Sequence, residues 1–210
     1  MKKSIVLLYC LFILTSLEAK EACRVVLVRH GETEWNVIKK SQGWRDIPLN
    51  ERGIEQSNIL AKAFADLPIQ CVYCSALSRA EETARIIAKP HEASIVSDPA
   101  IRFYRRNKKV EIPWFLSKKT KGKLIEKEVA ADAMAYLQDL AKKHPGQTVV
   151  MVTHQLVLQS LRNKLDPQKT KQERLANGKV LYAIATEEGV VLEDQKTWKE
   201  QSLSAAGSEH

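Results

Sequence analysis

Arg29-His30 closes one β-branched run, and Thr153-His154 closes another. A third apolar run is followed by Ser75-Ala76-Leu77-Ser78-Arg79. An imidazole can attack phosphorus, and a guanidinium grips phosphoryl oxygens with a planar fork. A single histidine at a strand end is ordinarily a surface or capped residue. Two histidines and two arginines delivered to one edge of a sheet point to an anion site. Whether they meet depends on the elements that carry them.

Those elements alternate. Arg24 to Val28 reads as a strand buried on both faces. Asn50 can cap a helix from Glu51, with Ile54, Ile59, Leu60, Ala63, Phe64 and Leu67 on its apolar face and Pro68 as its stop. Cys71 to Cys74 is the next strand. Ser78 with Glu81 forms the pattern of a capping box for a helix to about Ile87. A short strand at Ser94 to Val96 precedes a basic stretch, 98 to about 123, that shows no regular period. A long amphipathic helix is expected from Leu124 to Lys143, with Val129, Ala133, Tyr136, Leu137 and Leu140 apolar. Thr148 to Val152 is the most hydrophobic strand, and a helix follows from Leu156 to Leu165. Val180 to Ala185 and Val190 to Glu193 are the last strands. This alternation predicts an α/β fold of three layers, α/β/α, with a mostly parallel central sheet. Ligands of such sheets lie at the carboxyl ends of the strands.

With the positions in view, a resemblance becomes specific. Arg29-His30-Gly31-Glu32-Thr33-Glu34-Trp35-Asn36 resembles the signature of the histidine phosphatase superfamily, which includes phosphoglycerate mutases. The match continues from Gln42-Gly43-Trp44-Arg45-Asp46 to Gln56, resumes from Cys74 through Arg79 to Ala84, and ends at Val150 to His154. The resemblance implies that His30 forms a phosphohistidine while a backbone carbonyl holds its other ring nitrogen. It implies that Arg29, Arg79 and His154 bind the phosphoryl group, with Asn36, Gln42 and Gly43 near the phosphate or substrate. It also implies a small phosphorylated substrate, with no metal or cofactor.

Two departures matter. Many family members carry a glutamate as general acid where this chain reads Ile101-Arg102-Phe103, so Phe103 stands at the acid position. Others place an aspartate after the second histidine, where Gln155 stands here. Glu111 is the nearest downstream carboxylate and the candidate replacement, and Asp98 is the nearest upstream. Three functions are compatible with this pattern: a phosphomonoester phosphatase, a degenerate phosphate-binding module, and a phosphoglycerate mutase.

The length of 210 residues suffices for one full hydrophobic core. Eight Gly and seven Pro exclude a collagen-like or low-complexity chain. A net charge of +8 suggests anionic partners. The run from Arg102 through Arg105, Arg106, Lys108 and Lys109 to Lys118, Lys119, Lys121 and Lys123 fits a collar for polyanionic substrates. Nucleic acid is the weaker partner, since no binding motif accompanies the interleaved Phe103, Tyr104, Trp114 and Phe115.

Lys2 and Lys3 precede the apolar run Ile5 to Leu14, and small residues follow. That is the pattern of a signal peptide spanning residues 1–19, cut after Ala19 or, second, after Ala22. Export to the periplasm or exterior is expected, with membrane contact only through this segment if it stays uncleaved. The catalytic domain is expected over 20–200 and a disordered polar tail over 201–210. Cys23, Cys71 and Cys74 remain after cleavage. Cys71 and Cys74 lie three apart in a strand, hence on opposite faces, which disfavours a redox or metal pair.

Overall fold

The computed structural model describes residues 22–102, 117–166 and 175–198. Among these, six strands form one mixed sheet in the order β3-β2-β4-β1-β5-β6. The strands are β1 (Cys23–Arg29), β2 (Ile69–Cys74), β3 (Ser94–Ser97), β4 (Thr148–Thr153), β5 (Val180–Ala185) and β6 (Val190–Glu193). The ladders β1–β4, β2–β4 and β2–β3 are parallel, and β5 and β6 add antiparallel pairings at one side.

The central strands are buried on both faces because their residues are apolar at nearly every position. Val25 and Leu27 of β1, Cys71 and Tyr73 of β2, and Val149 and Met151 of β4 enter one core. Val26, Val28, Val72, Cys74, Val150 and Val152 enter the other. Each fully buried aliphatic side chain contributes roughly 1.5–3 kcal/mol. The two cysteines of β2 therefore serve separate cores. Burial pushes the Cys23 thiol up to about 12 and the Cys74 thiol to about 11, so both are packing groups rather than thiolates.

The helices are α1 (Glu34–Val37), α2 (Glu51–Ala63), α3 (Ser78–Ala88), α4 (Lys118–Lys143) and α5 (Gln155–Leu165). Val129, Ala133, Leu137 and Leu140 of α4 cover the first core together with Val157, Leu158 and Leu161 of α5. Phe64 and Leu67, just after α2, cover the second with Ala80, Ala84 and Ile87 of α3. Trp198 seals that core and donates its indole N–H to the Ala183 carbonyl at 3.2 Å.

Three expectations are corrected. The buried face of α2 is Gly53, Ser57 and Ala61, whereas Ile54, Ile59 and Ala63 are exposed. Small residues are selected there by backbone contact: a Cβ on Gly53 would stand 2.1 Å from the Glu32 carbonyl oxygen, and one on Gly31 would stand 2.4 Å from the Gly53 carbonyl oxygen. The Ser78–Glu81 capping box does not form. Asp46 accepts both the backbone N–H and the hydroxyl of Ser78 at 2.8 Å, and Glu81 accepts from Ser97 instead. The long helix begins at Lys118, six residues early, because Ser117 caps it by accepting the Thr120 N–H. Its first turns take in the lysines of the expected irregular stretch. The leader over 1–19, the tail over 201–210 and residues 103–116 lie outside the described residues.

Replacing a helix-interior glycine with alanine ordinarily stabilises by about 0.5–1 kcal/mol. Gly53→Ala is expected to do the reverse, by roughly 2–4 kcal/mol, because the clash is with backbone. Urea unfolding of the two proteins measures the sign.

Candidate active site

β4 lies between β1 and β2, and its last carbonyls anchor the loops on either side. The Thr153 carbonyl accepts the His30 N–H at 3.0 Å, and the Val152 carbonyl accepts the Ser75 N–H at 3.1 Å. The loops after β1, β2 and β4 thus start from one spot at the carboxyl edge.

His30 is buried beside Gly31. Its Nδ1 donates to the Gly31 carbonyl at 2.7 Å, which leaves Nε2 with its lone pair. Burial, then the Arg79 guanidinium, lower its pKa from 6.5 to about 3; Arg29 adds to the fall and the Gly31 hydrogen bond opposes it. The imidazole is therefore neutral at pH 7, and among the described residues the charged groups acting on it are both cations. The His154 ring meets it edge-on, centroids 5.3 Å apart. His154 Nε2 shares a hydrogen bond of 2.9 Å with Ser75 Oγ.

Both arginines are held by backbone carbonyls. Arg29 Nη1 donates to the Leu175 carbonyl. Arg79 Nη1 donates to the Arg45 carbonyl at 2.9 Å, and Nη2 donates to the Gly43 carbonyl at 3.3 Å. Gly43 has φ +51, a left-handed conformation that glycine adopts freely and that turns its carbonyl to this use. The neighbouring Gln42 is buried, and its Oε1 has no hydrogen-bond partner among the described residues.

The structure thus brings Arg29, His30, Arg79 and His154 together, with Gln42 and Gly43 alongside. Asn36 takes a supporting position: its Oδ1 accepts from Thr33 N–H, Thr33 Oγ1 and Asn177 Nδ2. Glu111 and Phe103 lie outside the described residues. Asp98 is committed elsewhere, accepting the Tyr136 hydroxyl at 2.9 Å and the Ala100 N–H at 2.8 Å.

Three supports escape sequence reasoning. Asn177 Nδ2 reaches the His30 and Gly31 carbonyls, each at 3.1 Å, from far along the chain. Thr83 accepts the Gly31 N–H at 3.1 Å and donates to the Arg79 carbonyl at 2.8 Å, coupling the loop after β1 to the helix that carries Arg79. Ser75, the partner of His154, stands out in the sequence only as part of a motif. Thr83 and Ser75 both sit inside matched blocks, which is a usable signal; Asn177 offers none.

Comparison with known proteins establishes the family. The family model of the histidine phosphatase superfamily (branch 1) matches residues 25–103. Phosphoglycerate mutase-like protein 4 of Arabidopsis thaliana is 33% identical over 184 residues, covering 78% of this chain and 80% of that one. The chain belongs to the histidine phosphatase superfamily. Among solved structures, phosphoserine phosphatase of Entamoeba histolytica with 3-phosphoglyceric acid superposes with TM-score 0.63 at 25% identity, over 82% of this chain and 95% of that one. Phosphoglycerate mutase of Bacillus anthracis shares the fold, with TM-score 0.66 at 21% identity over 90% and 96%. The superfamily fold thus accounts for the α/β/α layers expected from the alternation of elements.

The His30 shift has a consequence for stability. The unfolded chain takes up a proton near pH 6.5, which the folded imidazole refuses until about 3. Stability from this group is full above pH 6.5 and is lost as pH falls toward 3. A His30→Asn variant is expected to lose less stability than the parent between pH 7 and 4.5, by on the order of 2 kcal/mol. Denaturation curves at those two pH values measure the difference.

Proposed function

We propose that this chain is an exported phosphomonoester phosphatase that works through a phosphohistidine at His30. The observation that carries the reading is a buried, neutral imidazole whose Nδ1 is hydrogen-bonded to a carbonyl and on which the Arg79 and Arg29 guanidinium groups act. In the first step His30 Nε2 forms a bond to phosphorus as the bond to the ester oxygen breaks. Arg29, Arg79 and His154 stabilise the charge on the transferring group. Water then attacks the phosphohistidine, releasing phosphate and restoring His30. Phosphoserine phosphatase of Entamoeba histolytica, among the similar structures, supports a small phosphate ester as substrate.

An alkyl leaving oxygen needs a proton, and Glu111 is the proposed donor. Protein quenched during turnover of an aryl phosphate should carry acid-labile phosphate on His30, and His30→Ala should abolish phosphate release. Glu111→Gln should slow alkyl phosphates roughly 10²–10⁴-fold and aryl phosphates far less. Activity undiminished in His30→Ala would remove the mechanism.

A second reading, a phosphate-binding module without turnover, rests on Phe103 and Gln155 at the positions where family members carry an acid, and among the described residues the charged groups acting on His30 are the two arginines. It predicts tight phosphate binding with no phosphoenzyme in the same quench. Export rests on Lys2, Lys3 and the apolar run after them. N-terminal sequencing of protein from intact cells is expected to begin at Lys20 or Cys23; a start at Met1 would contradict cleavage.

A further inference from the structure

The loop that supplies carbonyls to Arg79 also presents a surface that the phosphatase reading does not use. From Trp35 to Arg45 the chain carries Lys39, Lys40 and Arg45 and no acidic residue. Val37 is 54% exposed and Ile38 64%, and both lysines, Trp44 and Arg45 are exposed beside them. Lys40 lies 4.0 Å from the Trp35 ring centroid, which holds a cation against an aromatic face.

This exposure is built into the fold rather than a fraying of it. The loop is fixed at one foot by the Thr33–Asn36 capping box and by Asn177. The other foot is fixed by buried Gln42 and by the two carbonyls on Arg79. Between them Lys39 is held at φ +53, a conformation unfavourable for a residue with a Cβ. Asp46, which follows Arg45, is engaged with the backbone N–H and hydroxyl of Ser78 in α3, and exposed Glu34 precedes the segment.

Adjacent exposed aliphatic side chains, the exposed Trp44 indole and lysines match the chemistry of an anionic bilayer surface: apolar tips for the headgroup boundary and cations for lipid phosphates. We propose that residues 35–45 form a docking surface for anionic membranes, which sets the mouth of the site against the lipid headgroups. The surface is independent of the phosphatase reading and of the N-terminal apolar run.

The test is co-sedimentation of the full chain with vesicles of phosphatidylcholine alone and with about 30% phosphatidylglycerol added. The chain should partition at least about tenfold more strongly onto the anionic vesicles. Lys39→Glu with Lys40→Glu should remove roughly tenfold or more of that binding. Val37→Ser with Ile38→Ser should weaken it comparably. Thermal midpoints and aryl phosphate hydrolysis should stay unchanged in both pairs. Equal binding to the two vesicle types overturns the proposal. So does anionic-vesicle binding that neither pair lowers, which would assign it to residues 1–20, or loss of a dimer in place of loss of vesicle binding.

Discussion

The hydrogen bond from His30 Nδ1 to the Gly31 carbonyl is the constraint to which the rest of the carboxyl edge is fitted. It fixes the tautomer, so the free lone pair is on Nε2. For the carbonyl to face the ring, Gly31 must lie where its neighbour Gly53 almost touches it, and no Cβ fits at either position. Thr83 then holds the Gly31 N–H, and Asn177 caps the His30 and Gly31 carbonyls. Each support is a neutral dipole. None supplies a negative charge to the imidazole, whose charged neighbours among the described residues are Arg79 and Arg29. A neutral histidine among cations keeps its Nε2 lone pair and leaves the positive charge of the arginines to an anionic ligand.

The same constraint explains why small and polar residues line the helix faces nearest the site. α2 brings Gly53, Ser57 and Ala61 inward, with Gly53 against the loop after β1, and leaves Ile54 and Ile59 outside. Ser57 donates to the Gly53 carbonyl and contacts Thr83, so the close approach of α2 and α3 is satisfied by hydroxyls. The larger apolar side chains are used deeper down, around β4, where backbone need not approach backbone.

This division decides how much of the fold and the site is legible in the sequence. The strands are clear because a β-branched run flanked by turn residues suits a strand buried on both faces. Their ends place Arg29, His30, Arg79 and His154 at one edge, as the structure does. The face of α2 is misleading because hydrophobic periodicity rewards Ile54 and Ile59, whereas contact with Gly31 and Glu32 rewards the absence of a side chain. The start of α4 is hidden because lysines carry no apolar period, although Ser117 provides a cap. The cap of α3 comes from Asp46, distant in sequence, and Asn177 acts across more than a hundred residues. Local patterns do not encode such partners.

The claim at the centre is the protonation state of one ring. Nitrogen NMR of the protein with labelled histidine, followed from about pH 8 to about pH 4, reads it directly. With the His30 pKa pushed down to about 3, the ring is expected to show a protonated Nδ1 and a bare Nε2 at neutral pH and to stay neutral down to about pH 4. A His30 midpoint still at 6.5, or a proton on Nε2 at neutral pH, would contradict it.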